Sequence, residues 1–244
     1  MSRIALITGA TSGIGKATAE AFANEGIQLI LCGRRQDRLN ELQTLLGSKV
    51  KVLTLQFDVR DREAVFQAIE SLPTEWQAID ILVNNAGLEK AGALRKLSES
   101  DWDITIDVNL KGTFLCAQAV HAGMVERKHG RIINIASRAW LGGPGQIPYS
   151  SAKAGVVGMT RALALELGKN GVTTNCVAPG LIHTPMWDGL PEKDRNFLLT
   201  KQPTGRLGTV DNIADAVLFL ADDDASFING QVLYVCGGRS LFAG

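Results

Sequence analysis

The sequence has little of what a metal, disulfide, membrane or nucleic-acid function needs. Its four cysteines, Cys32, Cys116, Cys176 and Cys236, lie far apart in apolar stretches, and none forms a C-x-x-C pair. Its three histidines, His121, His129 and His183, show no ligand spacing. Buried, reduced thiols, no metal site and a cytoplasmic location are the expectation. Lys and Arg number 25 against 25 Asp and Glu, without a basic tract or a basic, aromatic face to grip nucleic acid. No apolar run reaches the roughly 18 residues of a membrane helix. The opening M-S-R-I-A-L-I-T-G-A has too short an apolar core for a signal peptide and serves better as a strand.

What remains is a 244-residue chain, 45% hydrophobic, with strand and helix patterns alternating from end to end and no linker or repeat. That alternation predicts an α/β fold: a single domain over residues 1–244, with one doubly wound parallel sheet and helices on both faces. Residues 37–46 carry Leu39, Leu42, Leu45 and Leu46 at helical spacing, all expected in the core.

Residues 3–8 form a short β-rich run, followed at once by T-G-A-T-S-G-I-G at 8–15 and a helical pattern. Strand, glycine turn and helix N-terminus make a pyrophosphate site. Gly9 allows the tight turn, Gly13 lets backbone approach phosphate, and Gly15 permits close helix–strand packing. The second strand ends at Gly33, where NAD sites of this type usually place an acid, and Arg34 and Arg35 follow directly. Arginines there suit a ribose 2′-phosphate, so NADP(H) is preferred and NAD(H) is the second option. Asp58 and Val59 close the third strand, placed to touch an adenine edge. Asn84-Asn85-Ala86-Gly87 closes the fourth with small residues that let backbone lie against a cofactor.

Residues 131–167 concentrate the chemistry. Ile132, Ile133 and Ile135 read as a buried strand, Ser137 sits where the chain leaves the sheet, and a long helix runs from about Tyr149. Tyr149 and Lys153 are four apart, one turn from each other on one helix face. A lysine cation favours a phenolate, lowering a pKa that is otherwise about 10, and Ser137 can hydrogen-bond a carbonyl oxygen. The set suits proton transfer coupled to hydride transfer. Taken alone, Y-x-x-x-K is weak, and a plain helix surface carrying both residues is the competing reading. Asn109 falls inside a helical stretch at 98–128, where it could distort the helix and hold a water beside the lysine. After Pro179-Gly180, residues 181–208 read as a lid or substrate loop with a short helix, Trp140 and Trp187 are candidate apolar walls, and Arg138 is a candidate carboxylate anchor. The acidic run 222–224 reads as a solvated helix end.

Together T-G-A-T-S-G-I-G, N-N-A-G at 84–87, Asn109, Ser137, Y-S-S-A-K at 149–153, P-G at 179–180 and T-P-M at 184–186 resemble the short-chain dehydrogenase/reductase family along essentially the whole chain. The resemblance implies a seven-stranded Rossmann fold and a nicotinamide cofactor. It implies catalytic roles for Asn109, Ser137, Tyr149 and Lys153, with lysine also holding the nicotinamide ribose. It further implies cofactor contacts from Gly9, Thr11, Ser12, Gly13, Ile14, Gly15, Arg34, Arg35, Asp58, Val59, Asn85, Ala86, Gly87, Tyr149, Lys153, Pro179, Gly180, Ile182 and Thr184. The first half looks like members oxidising 3-hydroxy acids; the second, with N-C-V-A-P-G and S-F-I-N-G-Q, looks like 3-oxoacyl-thioester reductases. Cys236 stands where the latter group commonly has aspartate. The expected activity is interconversion of a secondary alcohol and a ketone, on a 3-hydroxy or 3-oxo acid or acyl thioester. A broad carbonyl reductase, an isomerase or lyase, and a cofactor-binding regulator are the alternatives. The expected assembly is a homotetramer pairing the helices at 98–128 and 149–167, with Val156, Val157, Met159 and Leu163 as surplus apolar positions.

Overall fold

The computed structural model describes residues 3–189 and 191–241, with the side chains of Pro185 and Met186 excepted, so the ends of the expected 1–244 domain lie outside the described residues. Seven strands form one parallel sheet: β1 (Ile4–Thr8), β2 (Gln28–Gly33), β3 (Val52–Gln56), β4 (Ile81–Asn84), β5 (Gly130–Ile135), β6 (Val172–Pro179) and β7 (Val232–Val235). Their order is β3-β2-β1-β4-β5-β6-β7. Between them run α1 (Gly13–Asn24), α2 (Gln36–Leu46), α3 (Arg62–Glu70), α4 (Glu99–Ile106), α5 (Gly112–Glu126), α6 (Ile147–Leu167), α7 (Pro185–Asp188), α8 (Glu192–Thr200) and α9 (Val210–Ala221).

The sheet is covered on both faces, so its central strands are apolar at consecutive positions. Alternate residues serve opposite cores. Ala5, Ile7, Leu29, Leu31, Ile81 and Val83 pack with Phe22 of α1, Leu39 of α2 and Val217 of α9. Ile4, Leu6, Ile30, Leu82 and Ile132 pack with Val65 of α3 and Val120 and Met124 of α5. Leu39, Leu42 and Leu46 are buried as expected, but Leu45 is 54% exposed. Helical rotation carries it off the face its neighbours share.

The strand order reverses between β1 and β4, which opens a crevice at their carboxyl ends. The glycine turn leaves β1 there and N-N-A-G leaves β4. Asn85 clasps the two: its Nδ2 donates to the Thr8 and Gly9 carbonyls at 3.0 and 3.1 Å, while Thr8 Oγ1 accepts from the Asn85 and Ala86 amides at 3.0 Å each. Further in, Asn84 Nδ2 donates to Asn134 Oδ1 and Asn134 Nδ2 to Thr160 Oγ1, both at 2.9 Å. That buried chain registers α6 against β4 and β5. The run at 222–224 is more than a solvated end. Asp223 meets Arg131 and His129 at 3.0 Å each, and burial of Arg131 to 3% exposure makes a partner necessary.

Candidate active site

Ser137 ends the extended segment after β5 and caps a short 3-10 turn, Arg138–Leu141, its Oγ accepting from the Ala139 amide at 3.1 Å. α6 begins at Ile147, slightly before the expected start, with Pro148 in its first turn, where a missing N–H costs nothing. Tyr149 and Lys153 stand one turn apart and, with Ser137 and Asn109, line a cavity of about 650 Å³. Lys153 is 4% exposed; its Nζ donates to the Ile135 carbonyl at 2.7 Å and lies 5.6 Å from the Tyr149 ring centre.

Asn109 is a buried residue at a distortion of its helix, not a surface amide. Residues Asp107–Lys111 form a π turn between α4 and α5. The widened turn lets Asn109 Nδ2 donate to the Leu88 and Thr105 carbonyls at 2.7 and 2.9 Å, while its buried Oδ1 has no partner among the described residues. π bulges often mark functional positions for this reason. The spare acceptor lies beside Gly87, with Lys153 Nζ near the same glycine.

The electrostatics differ from the expected lysine effect. Burial pushes the Tyr149 phenol up to about 12; a hydrogen bond with Ser137 pulls it down and Glu89 adds to the rise. Burial also draws Lys153 down to about 8, with Cys176 opposing. Desolvation is the largest cause for both groups, so the phenol rests protonated.

The residues expected at a cofactor fall into three groups. Ile14, Asn85, Gly87, Tyr149, Lys153, Pro179, Gly180, Ile182 and Thr184 line the main cavity. Gly9, with φ of 64°, turns against Ala86, and a Cβ on Gly15 would collide with the Gly9 carbonyl oxygen, so helix and turn touch there. Gly13, with φ of 53° and open space where a Cβ would stand, lines a smaller adjoining hollow with Thr184. At the β2 end, Arg35 Nη2 donates to Thr11 Oγ1 at 2.8 Å and Ser12 Oγ at 3.3 Å. Arg34 is exposed, 3.9 Å from Asp58. Asp58 is bonded chiefly to Arg60, at 2.8 Å, which holds its carboxyl below the usual range. Val59 packs its side chain against Gly112. A nicotinamide dinucleotide fits this arrangement: the glycine cradle has no room for side chains where helix and turn touch, the turn carries hydroxyls beside an arginine, and Lys153 and Asn109 have hydrogen-bonding capacity to spare.

The segment 181–208 contains two helices, α7 and α8, and Leu181, Ile182, Thr184, Trp187 and Leu198 of it face the cavity. Leu190 lies outside the described residues. Trp187 is a wall as expected; Trp140 is not. It stacks on Tyr234, ring centres 6.4 Å apart, in a satellite core with Val156 and Val157. Glu89, Gln146 and Arg239 also line the cavity, although nothing in the sequence singles them out. Gln146 Nε2 donates to Glu89 Oε1 at 2.6 Å and Gly92 N to the Gly145 carbonyl at 2.8 Å, joining two loops at the cavity. No local motif marks these residues; only the fold brings them together.

A family model described as enoyl-(acyl carrier protein) reductase matches residues 9–240. The chain is 63% identical to the (2S)-[(R)-hydroxy(phenyl)methyl]succinyl-CoA dehydrogenase subunit BbsD of Thauera aromatica, over 100% of this chain and 98% of the relative. It is 42% identical to the 3-oxoacyl-[acyl-carrier-protein] reductase FabG of Thermotoga maritima, over 97% of each. Among solved structures, the 3-oxoacyl-[acyl-carrier protein] reductase of Brucella melitensis superposes with a TM-score of 0.92 at 32% identity, covering 97% of this chain and 90% of that one.

Proposed function

The chain belongs to the short-chain dehydrogenase/reductase family, and from that premise we propose that it interconverts a 3-hydroxyacyl and a 3-oxoacyl thioester at the cavity bounded by Ser137, Tyr149 and Lys153. It is an oxidoreductase acting on CH–OH groups. The observation that carries the thioester reading is the pairing of this cavity with relatives named for acyl-CoA and acyl-carrier substrates over nearly the whole chain.

A bound nicotinamide supplies the hydride acceptor or donor. The chain's own residues do the rest. Ser137 Oγ and the Tyr149 hydroxyl donate to the substrate oxygen and fix its orientation, as preorganised donors do wherever charge develops. Tyr149 gives its proton to that oxygen in reduction and takes it back in oxidation. Lys153, anchored on the Ile135 carbonyl, keeps two N–H donors for the ribose and the phenol side. Asn109 Oδ1 holds a water that carries the proton onward, which its unpartnered, buried state supports. The residues at 181–208 enclose the acyl group.

The cofactor assignment is NADP(H). Its support is the absence of an acid at Gly33 and the reach of Arg35 onto the turn hydroxyls of Thr11 and Ser12. The assembly is a homotetramer. Val156 and Val157 are used up inside the subunit, so they no longer argue for it; the support comes from Trp102 on α4, Phe114 on α5 and Leu165 on α6, at 38%, 45% and 83% exposure. Four buried, unpaired cysteines support a reducing compartment, the cytoplasm. Among the described residues no helix is long and apolar enough to cross a membrane, and no cluster could hold a metal.

The test follows absorbance at the reduced-nicotinamide band with matched 3-oxoacyl-CoA, free 3-oxo acid and simple ketone substrates. Consumption fastest with the thioester supports the proposal; equal rates on simple ketones, or none on the thioester, refute it.

A further inference from the structure

Resting on the thioester reading above, we propose that Arg138 and Arg239 form an anion-holding pair inside the catalytic cavity, and that the acyl group of the substrate carries a second, free carboxylate bound there. Both arginines line the cavity with Ser137 and Tyr149. The 3-10 turn carrying Arg138 packs on the turn Arg239–Leu241. Arg138 Nε is buried and has no hydrogen-bond partner among the described residues. Arg239 uses Nη1 on the Leu198 carbonyl, at 2.9 Å, and no ion pair among the described residues engages either guanidinium.

That arrangement is costly for a structural role. A buried guanidinium is normally paired, as Arg131 is with Asp223 at 3.0 Å. Here two half-buried arginines line one cavity without such a partner, and the one acid lining it among the described residues, Glu89, takes a hydrogen bond from Gln146. Burial, and next the charge of Arg138, disfavour the Arg239 cation. A carboxylate relieves both, because its two oxygens match the guanidinium fork and its charge offsets the mutual repulsion.

Position identifies the anion's place on the substrate. Arg138 directly follows Ser137 in sequence, so its anion lies near the reacting carbonyl, on a short branch of the acyl group. The phosphates of coenzyme A hang at the far end of the pantetheine arm and are a poor match for this depth. Arg239 reaches the site from the carboxyl-terminal turn, which Gln202 Nε2 ties to the substrate segment through the Cys236 carbonyl at 2.7 Å.

The experiment compares N-acetylcysteamine thioesters, which carry no phosphate, of 2-carboxymethyl-3-oxobutanoate and its neutral isostere 2-isobutyl-3-oxobutanoate. Wild type should favour the carboxylate in kcat/KM by roughly ten- to a hundred-fold, the value of one charged hydrogen bond. Arg138→Gln and Arg239→Gln should each cut that ratio by about tenfold or more, and Arg239→Lys by less, since it keeps charge without the fork. A wild-type ratio near one overturns the proposal even if the variants fail to fold; so does a ratio unchanged in both glutamine variants. Discrimination seen only with coenzyme A thioesters also overturns it, assigning the arginines to phosphate. If neither thioester turns over, the catalytic reading fails separately. Calorimetric titration with 2-methylsuccinate then decides this one: binding by wild type that is lost in Arg138→Gln supports it, and equal or absent binding refutes it.

Discussion

Asn109 and Lys153 meet across Gly87: a Cβ on that glycine would sit 2.8 Å from Asn109 Oδ1 and 3.7 Å from Lys153 Nζ. The glycine keeps the space between the acceptor and the ammonium free of a side chain. Gly87→Ala should push the Asn109 amide aside and lower kcat by about tenfold or more, through the proton relay, while the fold survives. Steady-state kinetics with a circular dichroism control checks this; unchanged kcat would mean Asn109 plays no part in turnover.

The phenol at about 12 sets the sign of the pH dependence. An acid whose pKa is raised stays protonated at neutral pH, ready to donate, so ketone reduction should be flat from about pH 6 to 7, below the range near 8 where Lys153 loses its charge. Alcohol oxidation needs the phenolate and should rise with pH, by up to about tenfold per unit. Ser137→Ala removes the hydrogen bond that pulls the phenol down, so oxidation should slow and its profile move to higher pH. Paired pH–rate profiles test both; oxidation that is already level at pH 6 would mean the phenol ionises far more readily than its burial implies.

On the proposed NADP(H) assignment, cofactor choice turns on Gly33, Arg34 and Arg35. One charge-assisted bond of about 1.5–3 kcal/mol to a 2′-phosphate favours NADP(H) by roughly ten- to a hundred-fold. Gly33→Asp with Arg34→Ile should reverse the preference by offering a diol acceptor and repelling phosphate. A Cβ at 33 would approach Thr11 Cγ2 to 3.0 Å, so a small shift of the turn accompanies the change. The ratio of kcat/KM for the two cofactors, before and after, is the readout. A wild type that prefers NAD(H) would refute the assignment.

Assembly is tested by light scattering at micromolar concentration. A tetramer is expected, and Phe114→Glu, placing charge on an exposed apolar helix face, should yield smaller species. A monomeric wild type contradicts the paired-helix reading.

How far the sequence could be read depends on whether a feature is local. The strand, glycine turn and helix at residues 3–24 are adjacent in sequence, so Gly9 and Gly15 announce their close contact by spacing alone. Tyr149 and Lys153 share a helix, and period fixes their face. Burial is different. Leu45 and Trp140 are apolar at plausible positions, yet rotation about α2 exposes the first and Tyr234 stacks on the second. Arg239 follows Ser137 by about a hundred positions, and only the packing of two short turns brings it to the cavity. The direction of the phenol's shift is illegible in sequence for the same reason. Desolvation belongs to the whole enclosure, whereas the Tyr–Lys spacing shows only one neighbour.

The most direct measurement of the central claim separates chemistry from binding in Tyr149→Phe. Removing only the hydroxyl should leave fold and cofactor affinity near wild type, by calorimetry, and cut turnover of a 3-oxoacyl thioester by about a hundred- to ten-thousand-fold. Retention of more than roughly a tenth of the wild-type rate would contradict Tyr149 as the proton-transfer group, and with it the account of this cavity.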